Sequence, residues 1–410
     1  MEQTDFKVYG YRWVVLLAFM FVVAINQLLW ITFAPITGSA AAYYGVSDLS
    51  IGLLSMCFMI VYIVISIPAS WAIDTFGIRT AVGIGAAITG IFGLLRGILA
   101  SDYTLVLIAQ IGIAIGQPFI LNAVTTVAAR WFPIQERATA AGLGTLAMYL
   151  GIVVALVLTP YLTIQSQISG MLLTYGIVSV IAVVVFFAFV KERPPTSPCL
   201  PDQEERSLVF DGLKESLRMR DFVLLMVIFF VGLGVFNAAT TWIEDIVRPR
   251  GFSIIQAGNT GGLMIVGGII GAVVVPILSD HHRKRTPYLL LAVIGATLGL
   301  IGITFATSYW LLLVSAFVFG FFLLSAGPIG FQYGAEVTHP TPEGTSNGLL
   351  LLMGQISGII FIFGMDSFKS PETGSMTLPL IVLIGLMVLS LLFCTRLREA
   401  TTLLTENRSP

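Results

Sequence analysis

Charge is what this sequence has least of. Only 10% of its 410 residues are Asp, Glu, Lys or Arg, against about 25% in an ordinary soluble domain. The chain is 57% hydrophobic, and a water-facing fold of this size still needs polar groups over much of its exterior. The scarcity excludes a soluble globule and implies a bundle whose outer solvent is lipid. The few charges nearly cancel, at a formal net of −1, so a nucleic-acid partner is not expected. Cysteine is equally sparse: Cys57, Cys199 and Cys394 lie too far apart for a CxxC or another metal pattern. Nucleophile–base pairs, metal clusters and phosphate loops are also missing, so catalytic residues, metal and cofactor are not expected. Gly261-Gly262 and Gly267-Gly268 suit close helix packing instead. No cleavable signal peptide is expected, because the first apolar stretch, from Trp13 past Trp30, is too long for one.

Long apolar runs are abundant. A hydrocarbon core of about 30 Å needs roughly 20 apolar residues per helix, and twelve such runs occur. They cover about 12–37, 48–73, 80–99, 103–131, 137–163, 168–190, 221–247, 255–279, 286–306, 309–334, 345–365 and 374–396, numbered here helix 1 to helix 12. The polar gap at 191–220 opens with Pro194, Pro195, Pro198 and Pro201 and continues through Glu204, Glu205, Arg206 and Lys214. It reads as a linker, with room for one interfacial amphipathic helix. The expected organisation is a six-helix half at 1–190, the linker at 191–220, a second six-helix half at 221–396 and a tail at 397–410.

Seventeen Lys and Arg fall on the side of the termini, from Lys7 and Arg12 through Arg79, Arg130 and Arg285 to Arg408. Only Arg248, Arg250 and Lys369 fall opposite. The positive-inside rule then places both termini in the cytoplasm, as expected of a multi-pass protein of the cell membrane. The remaining cation, Arg96, lies near the outer end of helix 3, where snorkelling to the interface is the plain expectation.

The halves share a register. Asp74, Arg79 and Thr80 recur as Asp280, Arg285 and Thr286, each 206 positions on, and Thr139 and Gly142 recur as Thr345 and Gly348 at the same offset. Equal halves of six helices are parallel repeats, whose substrate site lies between them near mid-bilayer. The turn Ser70-Trp-Ala-Ile-Asp74-Thr-Phe-Gly77-Ile-Arg79 resembles the major facilitator loop signature, with Ser70 in place of the usual first glycine. Gly77 permits a tight turn. Asp74 suits helix N-terminal amides in the other half, and Arg79 suits a carboxylate. Asp74, Gly77, Arg79, Asp280 and Arg285 are therefore the gating candidates, beside the simpler reading of generic basic turns.

Polar groups inside a spanning helix are expensive and usually face the bundle interior. Candidates for a substrate cavity are Asn26 and Trp30 in helix 1, Gln117 and Asn122 in helix 4, Tyr149 in helix 5, Asn237 and Trp242 in helix 7, and Asn347 and Gln355 in helix 11. Pro118 next to Gln117 and the Gly327-Pro328 pair in helix 10 are expected kinks. Each amide has a second reading as interhelical glue. No Asp, Glu, Lys or His stands at mid-span, which favours facilitated diffusion over proton coupling. If coupling exists, Glu244, Asp245 and Asp366 near the outer helix ends are its candidates; otherwise they are rim charges.

Several stretches carry a more specific likeness: Tyr11-Arg-Trp-Val-Val-Leu, Asn26 to Trp30, Leu54-Ser55-Met56, Pro68 to Asp74, Gln117-Pro-Phe-Ile-Leu, and Gly334-Ala-Glu336 through Ser346 to Gln355. Together they resemble the FLVCR family (feline leukaemia virus subgroup C receptor-related proteins) of the major facilitator superfamily. The resemblance implies an alternating-access carrier for a small organic solute such as choline or ethanolamine; some members are linked to haem. It implies an ammonium site with a helix 1 Trp, a helix 7 Tyr and amides of helices 1, 4 and 11. Trp30, Asn26, Gln117 and Gln355 match, Asn237 stands where the helix 7 Tyr would, and Tyr149 takes the place of a helix 5 Gln. Haem is disfavoured, since His281, His282 and His339 fall in turns rather than in the cavity. The competing reading is a proton-coupled symporter or exporter of a drug-like or organic-acid substrate. The partners expected are the solute and the bilayer, with the chain a monomer.

Overall fold

The computed structural model describes residues 8–196, 216–339, 341 and 343–399. Cys199, the proposed interfacial helix and the last part of the tail lie outside the described residues. Every regular element among the described residues is helical. Eleven helices are long and apolar enough to cross a bilayer. One of them, Ile134–Phe189, has 56 residues with a non-helical Gln167 (φ 60°, ψ 176°) inside it. At 1.5 Å per residue such a length exceeds twice the hydrocarbon core. It is therefore helices 5 and 6 joined through Gln167, and the crossings number twelve. An even count returns the chain to its starting side. That side, with the turns at 77 and 283–285, is called here the terminal face, and the opposite side the far face.

Local chemistry sets the helix ends. On the far face Ser47 caps helix 2 (Asp48–Phe76) by accepting from Ser50 N, and Asp102 caps helix 4 by accepting from Leu105 N. Ser253 forms a capping box with Gln256 at the start of helix 8 (Ile254–His282), and Ser308 caps helix 10 (Tyr309–Thr338). Ser47 and Ser253 are 206 positions apart, as are Asp102 and Ser308 and the left-handed Gly45 and Gly251. The repeat thus extends from the terminal-face turns to the caps of the far face. Each cap accepts an otherwise orphaned amide, so the same residue types recur where the same helix starts recur.

Helices 1 and 7 are interrupted where no break is expected, and helix 4 breaks just beyond its expected kink. Helix 1 stops at Ile31, passes a 3-10 turn (Ala34–Ile36) and resumes as Thr37–Tyr44. Helix 7, Arg220–Thr241, ends at Trp242 and continues as Ile243–Val247. Helix 4 splits into Tyr103–Leu121 and Val124–Trp131, one turn beyond Pro118, whose missing N–H weakens the ladder. Helix 10 runs on past Pro328 to Thr338. The other spans are helix 3 (Ile78–Ile98), helix 9 (Thr286–Phe305), helix 11 (Glu343–Ser367) and helix 12 (Thr377–Cys394).

Glycine lets these helices meet backbone to backbone, which lipid-embedded association requires. A methyl at Gly151 of helix 5 would strike the Ala24 carbonyl of helix 1, within the first six helices. One at Gly258 of helix 8 would strike the Leu156 carbonyl of helix 5, across the two sets of six.

Candidate functional site

The amides separate by what their polar atoms touch. Asn26 is fully buried, and its Nδ2 donates to Thr89 Oγ1 of helix 3 at 3.3 Å. Asn122 accepts from Tyr62 Oη at 2.6 Å and donates to Ser66 and Ser70 of helix 2. Asn237 donates to the Gly354 carbonyl of helix 11 at 3.2 Å. These three hold helices together. Trp242, fully buried, donates its Nε1–H to the Ile362 carbonyl at 3.0 Å, and its ring lies against Gly52 of helix 2. It wedges the two sets of six together. Trp30, 7% exposed, donates to the Ser55 carbonyl at 3.2 Å.

Gln117 and Gln355 differ. Among the described residues no group hydrogen-bonds either side-chain amide, and neither amide is sealed from solvent: Gln117 is 6% exposed and Gln355 half-buried. Asn347 Oδ1 is buried without a partner. Tyr149 lines a cavity of about 120 Å3 otherwise built from helices 7, 9, 10, 11 and 12. It is the only one of the nine candidates that does so. Leu351 of helix 11 shares this cavity, and Gln355, one turn later, shares the face of Leu351.

The structure departs from the expectation for Arg96. It does not snorkel; it is fully buried. Its guanidinium donates to the Leu29 carbonyl at 3.0 Å, to Gln110 Oε1 at 2.6 Å and to Thr32 Oγ1 at 3.3 Å. Gln110 Nε2 in turn donates to the carbonyls of Leu29 and Leu54. The break in helix 1 frees carbonyls at a negative dipole end, and a cation with a neutral amide satisfies them. Arg96 and Gln110 thus fix the backbone on either side of Trp30. Sequence reading weighed Arg96 as a snorkeller because its partners come from two other helices, 1 and 4.

Charges reappear in quantity on the far face. Arg248 pairs with Asp48 (2.8 Å), Glu244 (3.1 Å) and Asp245 (2.7 Å). Lys369 pairs with Asp48 and, at 2.8 Å, with Asp245. Gly38 N–H donates to Glu244 at 2.8 Å. Asp48 and Gly38 belong to the first six helices and the rest to the last six, so these bonds tie the two sets together. Asp366 is half-buried nearby, within electrostatic reach of Lys369 and Asp48. Glu244 and Asp245 are not solvated rim charges but 3% and 0% exposed. Burial pushes the Glu244 carboxyl above its usual range, against Arg248. Burial likewise takes Asp245 up to about 7, outweighing Lys369 and Arg248. Asp245 Oδ2 has no partner. The Gly52–Trp242, Met59–Gly358 and Leu156–Gly258 contacts between the sets lie in the same far-face half of their helices, so this face is closed.

On the terminal face, Gly77 takes φ 86° and a side chain there would meet Glu192. Glu192 accepts from Ile78 N (3.1 Å) and Arg79 N (2.7 Å) and pairs with Arg130. Glu399 does the same for the repeat, accepting from Arg285 N (3.1 Å) and Thr286 N (2.9 Å). Arg285 pairs with Asp280 and, at 3.1 Å, with Glu336. Asp74 and Arg79 are exposed. These ion pairs stay within one set of six. The acids that cap helices 3 and 9 escaped sequence reading, since they arrive from the chain after helix 6 and after helix 12. His281 and His282 are exposed in the helix 8–9 turn, where His282 contacts Tyr288 Oη at 2.8 Å.

The family model of the Major Facilitator Superfamily matches residues 16–362. Choline/ethanolamine transporter FLVCR2 of Homo sapiens is 28% identical over 376 residues, covering 87% of this chain and 71% of that protein. Solute carrier family 49 member A3 of Xenopus tropicalis is 30% identical over 388 residues, covering 90% and 80%. Among solved structures, a D-xylose-proton symporter superposes with a TM-score of 0.76 at 15% identity, covering 96% of this chain and 99% of that one. A bacterial homologue of the human lysosomal transporter Spinster, inward-facing and unoccupied, gives 0.71 at 17%, covering 98% of each. At such identities the likeness concerns the fold.

Proposed function

The chain belongs to the Major Facilitator Superfamily, a multi-pass membrane transporter and not an enzyme, and on that premise we propose that it carries a small organic ammonium compound of the choline type by facilitated, alternating access. The observation that carries this reading is the pair of amides without protein partners, Gln117 in helix 4 and Gln355 in helix 11. Helices 4 and 11 belong to opposite halves, divided at 191–220. An amide left free in a lipid-embedded bundle is expensive unless water or solute completes its bonding. In this reading Gln117 and Gln355 bind the polar end of the solute. The rings of Trp30 and Tyr149 attract the cation, at about 2 kcal/mol or more when desolvated. Asn26, Asn122, Asn237 and Trp242 form the framework.

Relatives that are choline/ethanolamine transporters by name support the solute class. Facilitated movement is supported by Arg96: this buried cation in the last turn of helix 3 is engaged by Leu29, Gln110 and Thr32 and so is not free to serve coupling. The basic turns support a cytoplasmic terminal face in the cell membrane. The far-face lock is then the outer gate, and the Asp74–Arg79 and Asp280–Arg285 turns serve the inner one.

Counterflow of labelled choline into proteoliposomes tests the reading. Uptake is expected to be saturable, not driven by an imposed pH gradient, and at least tenfold weaker in Gln355→Ala and Gln117→Ala. Uptake that follows the proton gradient and collapses with a protonophore would overturn facilitated movement. Binding of no ammonium compound would overturn the solute class.

A further inference from the structure

The cavity beside Tyr149 is not accounted for by an ammonium head alone. It is lined chiefly by aromatic and aliphatic groups, among them Tyr149, Phe229, Phe236 and Phe331. Its floor reaches Val293 of helix 9 and Met387 of helix 12, helices outside the central set that carries the candidate amides. It is walled by the last six helices, with Tyr149 the one residue from the first six, so it opens onto the plane between the halves.

Two glycines in its wall leave real room. A methyl added at Gly327 meets no atom within 4 Å, and one at Gly232 meets only Leu323 Cδ1 at 3.8 Å. Gly151, Gly258 and many other glycines of this bundle serve close approach instead. These two leave space unfilled, in a region where an empty apolar void forfeits dispersion contacts on all sides. Gln355, on the face of Leu351, stands one turn from this wall.

The geometry points to a second subsite: the cavity takes an apolar limb of the transported solute, an alkyl or aryl group larger than methyl, while the polar head stays at Gln355 and Gln117. The preferred solute is thus a substituted ammonium compound rather than choline itself. This inference rests on the ammonium reading above for the head group but not for the cavity. Asn237 fits the same picture. Where the FLVCR resemblance implies a helix 7 tyrosine beside the head group, this chain has an amide turned to Gly354, and the aromatic surface of helix 7 lies at Phe229 and Phe236 on the cavity wall.

The test uses the purified full chain in nanodiscs and measures affinity for two probe series. One is N-substituted dimethylethanolammonium with methyl, ethyl, butyl and benzyl substituents. The other is the neutral series with carbon in place of nitrogen. Affinity in the cationic series is expected to rise about fourfold per added methylene, which is the ~0.8 kcal/mol of one buried CH2. Gly232→Leu, which fills the cavity, is expected to abolish that rise while leaving the methyl compound's affinity within twofold. Gly232→Ala is expected to keep most of it. Val293→Phe, filling the cavity from helix 9, provides a second variant should Gly232→Leu fail to fold. Binding of the cationic series without length dependence would overturn the subsite and leave the ammonium reading standing. Length dependence in the neutral series alone would uphold the subsite and overturn the ammonium reading. A rise that persists unchanged in the folded filling variants would place the limb elsewhere, in lipid or detergent, and overturn the inference.

Discussion

At the scale of single residues, the deciding quantity is whether a buried polar atom has a protein partner. Arg96 and Gln110 together satisfy the carbonyl of Leu29 where helix 1 breaks. Removing Arg96 leaves Gln110 Oε1 and Thr32 with lost partners, and an unsatisfied buried polar group costs about 1–3 kcal/mol. Arg96→Met is expected to lower the melting temperature in detergent, and to weaken solute binding further by loosening the backbone at Trp30. A melting temperature equal to the parent's would show that the guanidinium contacts contribute nothing. The same criterion divides the amides. Asn122 has four hydrogen bonds to helix 2, so Asn122→Ala should reduce stability and spare affinity. Gln355→Ala should do the reverse, and melting curves beside binding isotherms separate the two.

At the scale of helices, two glycines make similar backbone contacts with different consequences. Gly151 packs on Ala24 inside one half, a contact kept in every state of a rocking-bundle carrier. Gly258 packs on Leu156 between the halves, a contact that exists only while the far face is closed. Gly151→Val is expected to lower expression and melting temperature. Gly258→Val is expected to leave the fold intact and drive the far face open. Thiol labelling of a cysteine introduced at Met59, buried against Gly358 of the other half, in each background reads the difference; equal labelling would refute it. The helix breaks at Thr32 and Trp242 belong to this scale too. They stand in corresponding places of the two repeats; the break in helix 1 carries Pro35 in its 3-10 turn, and the break at Trp242 carries no proline. Hydrophobic run length gives the existence of a span but not its interruptions, because breaks are stabilised by partners such as Arg96 from other helices.

For the whole molecule, the far-face lock sets the balance between states. Asp48, Glu244 and Asp245 face Arg248 and Lys369, with Asp366 nearby. Three paired carboxylates against two cations leave one negative charge in excess, and burial raises Asp245 to about 7 from an ordinary 3.8. With the face open and Asp245 solvated, its affinity for a proton returns toward that ordinary value. The closed state therefore binds a proton that the open state releases between about pH 7 and 4. By linkage, closure is favoured as pH falls through 7 and disfavoured above it. The labelling assay is expected to show slower far-face modification at pH 5.5 than at pH 8 once corrected for thiolate fraction, with the difference reduced in Asp245→Asn and gone when Glu244→Gln is added, since burial raises both carboxyls. Lys369→Ala should speed labelling at both pH values. A difference that survives the double variant would assign the pH response to another group.

The sequence by itself determined the apolar runs of the crossings, the shared face of the termini and the 206-residue register, which the structure extends to the Ser and Asp caps. These depend on hydrophobic length, charge distribution and short-range capping, which are local. It also identified Gln117, Tyr149 and Gln355 as candidates, but among others it could not sort. Which amides are free, that Arg96 is buried, and that Asp48, Asp245 and Lys369 meet were decided by tertiary structure alone. The reason is physical: a polar atom is satisfied or free according to neighbours brought by other helices. Asn26 meets Thr89, Asn237 meets Gly354, and Lys369 reaches back to Asp48.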